Sequence, residues 1–260
     1  MANEEIRAAV RKNYGGIATQ QQTGCGCGCS CESDTKDLRT IAEQLGYSEA
    51  DLAAIPEHAN LGLGCGNPLA LLTLAEGQTV LDLGSGGGFD CFLARAKVGE
   101  TGLVIGVDMT SEMIDLARRN AAQKGYTNVQ FRLGEIEHLP VADNSVDVII
   151  SNCVVNLSPD KASVFKDAYR VLRTGGKLCI SDVVATGEIP VDVREDLNLV
   201  SCCIGGAASV EEVERLLEDA GFVDIRMSAK ENSDAVISSW QMGEQAASFV
   251  ASYIIEAHKS

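Results

Sequence analysis

Apolar and polar positions along this chain follow two rhythms. Short apolar runs at Thr79–Leu83, Leu103–Val107, Val129–Leu133, Val146–Ile150 and Lys177–Val184 are bounded by turn residues and read as buried strands. Between them the spacing is helical. One helix is predicted from about Phe89 to Lys97. Another starts at Thr110 or Ser111, carries Met113, Ile114, Leu116 and Ala117 on one face, and stops at Gly125. Ser158-Pro159 predicts an N-cap and first turn, with Gly175-Gly176 as the stop. Such alternation predicts a parallel sheet with helices on both faces. Beyond Pro190 a helical stretch runs through Leu197 to Cys203. Ser209 and Glu212 make a capping box for a helix ending at Gly221. Phe222–Met227 and Phe249–Ala257 read as a closing antiparallel pair, which brings the count to about seven strands. Upstream, Ile6, Ala9 and Val10 share a face of a short helix that runs to about Tyr14 and is closed by Gly15-Gly16. Leu38, Ile41, Ala42 and Leu45 form a second apolar face, stopped by Gly46, and Ser48 with Asp51 caps a third helix.

The first strand ends in Gly84-Ser85-Gly86-Gly87-Gly88, and Asp108 waits at the tip of the second. Glycines there let the backbone turn sharply and approach a ligand, and the acid is placed to accept a ribose diol. A dinucleotide fingerprint wants a sixth-position glycine, but the chain has Phe89. Asp82 before the loop and Asp90 after it would repel a pyrophosphate and suit a ligand with an ammonium and a sulfonium. S-adenosylmethionine has both and no phosphate. Glu135, at the tip of the third strand, is placed to meet an adenine amino group. The cofactor set and the strand count together predict the class I S-adenosylmethionine-dependent methyltransferase fold, which is Rossmann-like.

Composition narrows the partners. The chain has 260 residues, enough for one core with appendages. Its 21 basic and 37 acidic residues give a net charge of −16, which argues against a nucleic-acid substrate. The acidic N-terminus has no secretion core and no apolar run is long enough to span a bilayer, so a cytoplasmic protein off the membrane is expected. Its ten cysteines are then expected as reduced thiols.

The cysteines sort by position. Cys91 and Cys179 fall inside a helix and a strand and read as space-filling. Cys65 lies in the loop Gly62-Leu-Gly-Cys-Gly-Asn-Pro68, Cys153 just past the fourth strand at the cofactor end, and Cys202 and Cys203 close a helix before Gly205-Gly206. Helix phase lets only one of the last two point inward easily. The tract Cys25, Cys27, Cys29 and Cys31 lacks ordinary zinc spacing, and its composition reads as a loop or tether. His58, His138 and His258 are scattered, form no metal or triad pattern and read as surface residues.

Four segments resemble the arsenite S-adenosylmethionine methyltransferases: Gly62 to Pro68, Asp82 to Gly86 with Asp90-Cys91, Asn152-Cys153-Val-Val-Asn-Leu-Ser-Pro-Asp160, and Cys203-Ile-Gly-Gly-Ala207. The resemblance implies that Cys65, Cys153 and Cys203 are the catalytic cysteines and the As(III) ligands. It also implies that Asp82, Gly84, Ser85, Gly86, Asp108, Met109, Glu135, Ile136 and Asn152 form the cofactor site. It implies successive methylation of arsenite in detoxification, with a thiol reductant such as glutathione or thioredoxin. Soft thiolates suit a soft semimetal whose lone pair attacks the methyl group. The expected organisation is an arm with the cysteine tract over 1–34, the methyltransferase core over 35–190, and a small arsenic-binding insertion with the closing strands over 191–260, in a monomer. Two other readings are a methyltransferase of a small organic molecule, of quinone or sterol type, and a thiol-rich sequestration protein led by the tract. The first leaves the placed cysteines unused and the second leaves the cofactor set unexplained.

Overall fold

The structure is a computed structural model and describes residues 3–20, 38–56, 58–70, 72–238, 240 and 244–260. The cysteine tract at 25–31 lies outside them. Seven strands form one sheet: β1 (Thr79–Leu83), β2 (Leu103–Asp108), β3 (Val129–Leu133), β4 (Val146–Asn152), β5 (Leu172–Ala185), β6 (Phe222–Ala229) and β7 (Val250–Lys259). Their order is β3-β2-β1-β4-β5-β7-β6. The first five are parallel. β7 inserts antiparallel between β5 and β6, pairing Lys177 with His258 and Ala185 with Val250.

The helices are α1 (Asn3–Gln20), α2 (Leu38–Gln44), α3 (Glu49–Ala54), α4 (Phe89–Val98), α5 (Ser111–Gln123), α6 (Lys161–Val171), α7 (Val191–Glu195), α8 (Leu197–Ser201), α9 (Val210–Ala220), α10 (Ser233–Ser238) and α11 (Glu244–Ala247). Side chains alternate across the strands, so β1 sends Val80 to one core and Leu81 and Leu83 to the other. The first core is covered by Val10 of α1, Phe92 of α4 and Ile114 of α5, the second by Phe165 of α6 and Leu217 of α9. The order reverses between β1 and β4, which opens a crevice at the carboxyl ends of these strands.

Several expectations need correction. The first helix does not stop at Gly15-Gly16 but continues to Gln20. Packing outweighs local propensity there, because Ile17 and Ala18 are buried and a Cβ on Gly15 would meet the Glu112 carboxylate of α5 at 3.4 Å. The cap of α6 is Asp160, whose side chain accepts from Ser163 N–H. Ser158 instead closes a 3-10 turn over Val155–Leu157. Helix α6 ends at Val171, before Gly175-Gly176, and β5 takes over at once. The stretch after Pro190 is two short helices, broken where the Asp196 side chain caps the second. Ser48 and Asp51 form the capping box as read.

Candidate active site

The crevice is a cavity of about 1130 Å³, open mouth included. Its floor is the glycine loop after β1. Gly84 and Gly86 have φ of 69° and 50°, values a side chain rarely tolerates. The loop is tied to β2, since Gly84 and Ser85 N–H both donate to Val107 O. Asp108 accepts from Gly86 N–H at 2.9 Å and from Thr110 N–H at 2.8 Å. Burial pushes its carboxyl up, against the pull of those two donors. Ser85 Oγ is buried and has no hydrogen-bond partner among the described residues, which leaves it able to bond a molecule held in the cavity. Val10 and Tyr14 of α1 line the other wall.

Asp82 and Asp90 lie in the same cavity, 3% and 7% exposed. Cys91 Sγ donates to Asp82 Oδ2 at 3.2 Å, so this thiol does more than fill space. Burial raises the pKa of both acids, Asp90 to about 6, and the Asp90 charge raises Asp82 further. Tyr47 OH donates to Asp90 Oδ1 at 2.7 Å, and Asn152 Nδ2 donates to Asp90 Oδ2 at 3.1 Å. Of the expected cofactor residues, Gly84, Ser85, Gly86, Asp82, Asp108, Met109, Ile136 and Asn152 all line the cavity. Glu135 is directed elsewhere, to Arg7 Nε at 3.6 Å and Arg11 Nη2 at 3.4 Å, and it is the neighbouring Glu137 that lines the wall. A molecule with an ammonium, a sulfonium and a ribose fits this acid-lined space.

The cysteines meet beside this cavity. Cys65 and Cys153 are joined as a disulfide, with Cα atoms 5.9 Å apart. Cys203 Sγ donates to Cys153 O at 3.0 Å. Each segment is held firmly. Cys65 N–H donates to Asn152 Oδ1, and Cys65 O accepts from Ser252 Oγ at 3.0 Å and Lys230 Nζ at 3.2 Å. A Cβ on Gly64 would stand 2.8 Å from Asn152 Nδ2. Cys153 and Cys203 have φ of 56° and 63°, left-handed backbone at two non-glycine residues of one site. Gly206 lets the Cys203 loop press on the Asn156 carbonyl, where a Cβ would overlap it.

The expectation of reduced thiols is therefore corrected: Cys65 and Cys153 are bonded, and Cys202 is held in a disulfide of its own. Proximity explains the first pair, since the loop before β1 folds onto the tip of β4. Cys179 is buried, with Sγ 3.2 Å from Pro68 O, and burial pushes its thiol up to about 12. His58 and His138 are exposed, and His258 sits half-buried in β7.

Two functional candidates escaped the sequence reading. Asp182 has a carboxylate oxygen within 4.8 Å of both Cys153 Sγ and Cys203 Sγ. It accepts from Val155 N–H, Val183 N–H and Asn156 Nδ2, so it fixes the turn that follows Cys153. An acid inside the apolar run Ile180 to Val184 was the available signal. Tyr47 is the other, and nothing local marked it.

A family model described as a methyltransferase domain matches residues 74–221. An arsenite methyltransferase of Halobacterium salinarum is 50% identical over 98% of this chain and 67% of its own length. The chain belongs to the arsenite methyltransferase family. The human arsenite methyltransferase is 36% identical, over 74% of this chain and 59% of that protein. The crystal structure of an arsenic(III) S-adenosylmethionine methyltransferase from Chlamydomonas reinhardtii has a TM-score of 0.64 and 34% identity, covering 86% of this chain and 73% of that one. This member of the arsenite methyltransferase family thus spans between about half and three quarters of its relatives' lengths. A phosphoethanolamine N-methyltransferase of Haemonchus contortus bound to S-adenosylmethionine, 21% identical with a TM-score of 0.65 over 85% of this chain and 60% of that one, shares the fold. Among the described residues no helix is long and apolar enough to cross a membrane.

Proposed function

We propose that this chain methylates trivalent inorganic arsenic to methyl- and dimethylarsenicals, with Cys65, Cys153 and Cys203 as the arsenic ligands. The observation that carries this reading is the convergence of three cysteines, from three distant segments, at the edge of the cofactor cavity. A quinone or sterol methyltransferase has no use for that cluster.

When bound, S-adenosylmethionine supplies an electrophilic methyl group on a sulfonium. Asp82 and Asp90 would balance its cationic charge, Asp108 would receive its ribose, and Val10 and Tyr14 of α1, which line the same cavity, would shield it from water. Arsenite enters as substrate, three thiols replacing its three hydroxyls and releasing three waters. A pyramidal three-thiolate site would leave the arsenic lone pair free, and holding it in line with the methyl group would supply most of the rate gain. Each transfer takes arsenic from the trivalent to the pentavalent state. Arsenic returns to the trivalent state when two of its thiolate ligands leave together: two As–S bonds break, one S–S bond forms and one electron pair stays on arsenic, with no proton released, which leaves the disulfide in which Cys65 and Cys153 stand here. An external thiol, glutathione or thioredoxin in the cytoplasm, reopens it by exchange: the disulfide and two thiols become two protein thiols and an oxidised reductant.

The test is incubation with arsenite, methyl-labelled S-adenosylmethionine and a thiol, followed by arsenic speciation. Labelled methyl- and dimethylarsenicals are expected. Untouched arsenite with the cofactor turning over on an organic acceptor would overturn the reading.

A further inference from the structure

The buried hydrogens around Asp90 can be counted. Tyr47 OH carries one and Asn152 Nδ2 two. Tyr47 OH lies 2.7 Å from Asp90 Oδ1 and 3.0 Å from Gly66 O. Asn152 Nδ2 lies 2.8 Å from Gly66 O, 3.1 Å from Asp90 Oδ2 and 3.1 Å from Tyr47 OH. The phenol gives its hydrogen to the nearer, charged acceptor. The amide then gives one hydrogen to Gly66 O and shares the other between Asp90 and the phenol oxygen. Tyr47 is thereby both donor to Asp90 and acceptor from Asn152. Its ring is fixed edge-on against Phe89, centroids 4.8 Å apart. Asn152 in turn receives Cys65 N–H. Tyr47, Asp82, Asp90 and Asn152 all line the cofactor cavity.

We propose that Tyr47 is a positioning residue for the cofactor's amino-acid end: its hydroxyl orients Asp90 and Asn152 so that the Asp82–Asp90 pair presents carboxylates to the cofactor's ammonium group. The groups facing Asp90 are Asp82 of β1, the Tyr47 phenol from the segment between α2 and α3, and the Asn152 amide of β4. Asp108 of β2 and the Cys91 thiol act on it through Asp82. Two carboxylates buried together hold a proton that one cation can replace. The Tyr47 hydrogen bond favours the charged form of Asp90, against its burial. Without that hydroxyl the proton is held more tightly.

This inference rests on the S-adenosylmethionine reading and not on the arsenic chemistry, so it is tested by binding alone. S-adenosylhomocysteine keeps the ammonium and has no methyl group to transfer. Calorimetric titration of the full chain with it between pH 5 and 8.5 gives a binding curve that weakens on the acid side. In Tyr47→Phe, which keeps the ring packing, affinity at pH 7.5 falls about tenfold and the acid limb moves to higher pH. In Asp90→Asn the acid limb flattens; a limb that persists there removes Asp90 from the cofactor's pH dependence and overturns the proposal even where Tyr47→Phe fails to fold. A Tyr47→Phe curve lowered equally at every pH reveals a merely structural role and overturns the proposal, as does an unchanged curve. A wild-type chain that does not bind S-adenosylhomocysteine overturns the cofactor reading itself, an outcome distinct from a variant that behaves like wild type.

Discussion

Arg7 clasps α1 over the cofactor cavity, and its removal should open that wall while the core stays folded. Arg7 Nη2 lies 3.1 Å from Glu137 Oε1, a carboxylate only 5% exposed that also accepts from Ser158 Oγ at 2.7 Å. The gross attraction at that distance is about 5 kcal/mol at an effective dielectric of 20. Breaking a buried pair costs roughly 3–5 kcal/mol, and the Arg7 side chain, 18% exposed, belongs at the lower end. What opposes release is the docking of α1, whose fully buried Val10 and Ile17 contribute about 3–6 kcal/mol before the entropy of ordering the segment is subtracted. The two quantities are of one size. In Arg7→Met, α1 therefore swings away and lets water reach Glu137, because strand pairing holds the rest. A loss of about 3 kcal/mol moves the docked–undocked equilibrium by roughly 100-fold. Trypsin cutting after Arg11 and Lys12 reads that shift as a faster cleavage, calorimetry with S-adenosylhomocysteine reads it as weaker binding, and the main thermal transition stays in place. Adding Glu137→Gln removes the orphaned charge and restores protection. An Arg7→Met protein that resists trypsin like wild type and instead loses several degrees from its main transition would refute the clasp.

Further outcomes follow from other parts of the site. Cys203→Ser keeps the backbone cost and the hydrogen bond to Cys153 O but loses the sulfur; arsenite methylation falls by about 100-fold or more with S-adenosylhomocysteine affinity unchanged, and near-normal turnover would remove Cys203 from the ligand set. Gly206→Ala sets a methyl group against the Asn156 carbonyl, costs about 1–3 kcal/mol in urea unfolding and displaces Cys203, so turnover falls more than stability; equal activity would mean the loop adjusts freely. Asp90 and Asp182 are both raised to about 6, chiefly by burial. Their stabilising contribution is full below the ordinary carboxylate range and is lost as pH rises through about 6, whereas Asp160 and Asp167, both lowered, act only at more acid pH. Urea unfolding of the cofactor-free chain should thus show these groups pulling stability down between pH 4.5 and 7, an effect that S-adenosylhomocysteine offsets; a contribution rising over that window would contradict the burial of these acids.

The parallel core was legible because its signals are local. Five apolar runs, the glycines after the first and the acid after the second each fit within one window of chain, and β1 and β3 fall on their expected bounds. Residues whose roles depend on distant partners were harder. Asn152 reaches Tyr47 across 105 positions, and Asp182 meets Val155 across 27. Neither pairing leaves a mark in composition or spacing. The cysteine segments were legible as segments, yet the bond between Cys65 and Cys153, 88 positions apart, depends on how the loop before β1 lies across the sheet. Gly15-Gly16 misled for the opposite reason: a strong local stop signal yielded to the packing of Ile17 and Ala18.

The Cys65 carbonyl is gripped by Ser252 of β7, 187 residues further on, and by Lys230. During synthesis the glycine floor and the first strands are made long before that grip exists. A nascent chain can therefore build its nucleotide crevice while Cys65 still hangs loose from Cys153. The cysteine cluster is complete only after β7 has taken its place between β5 and β6.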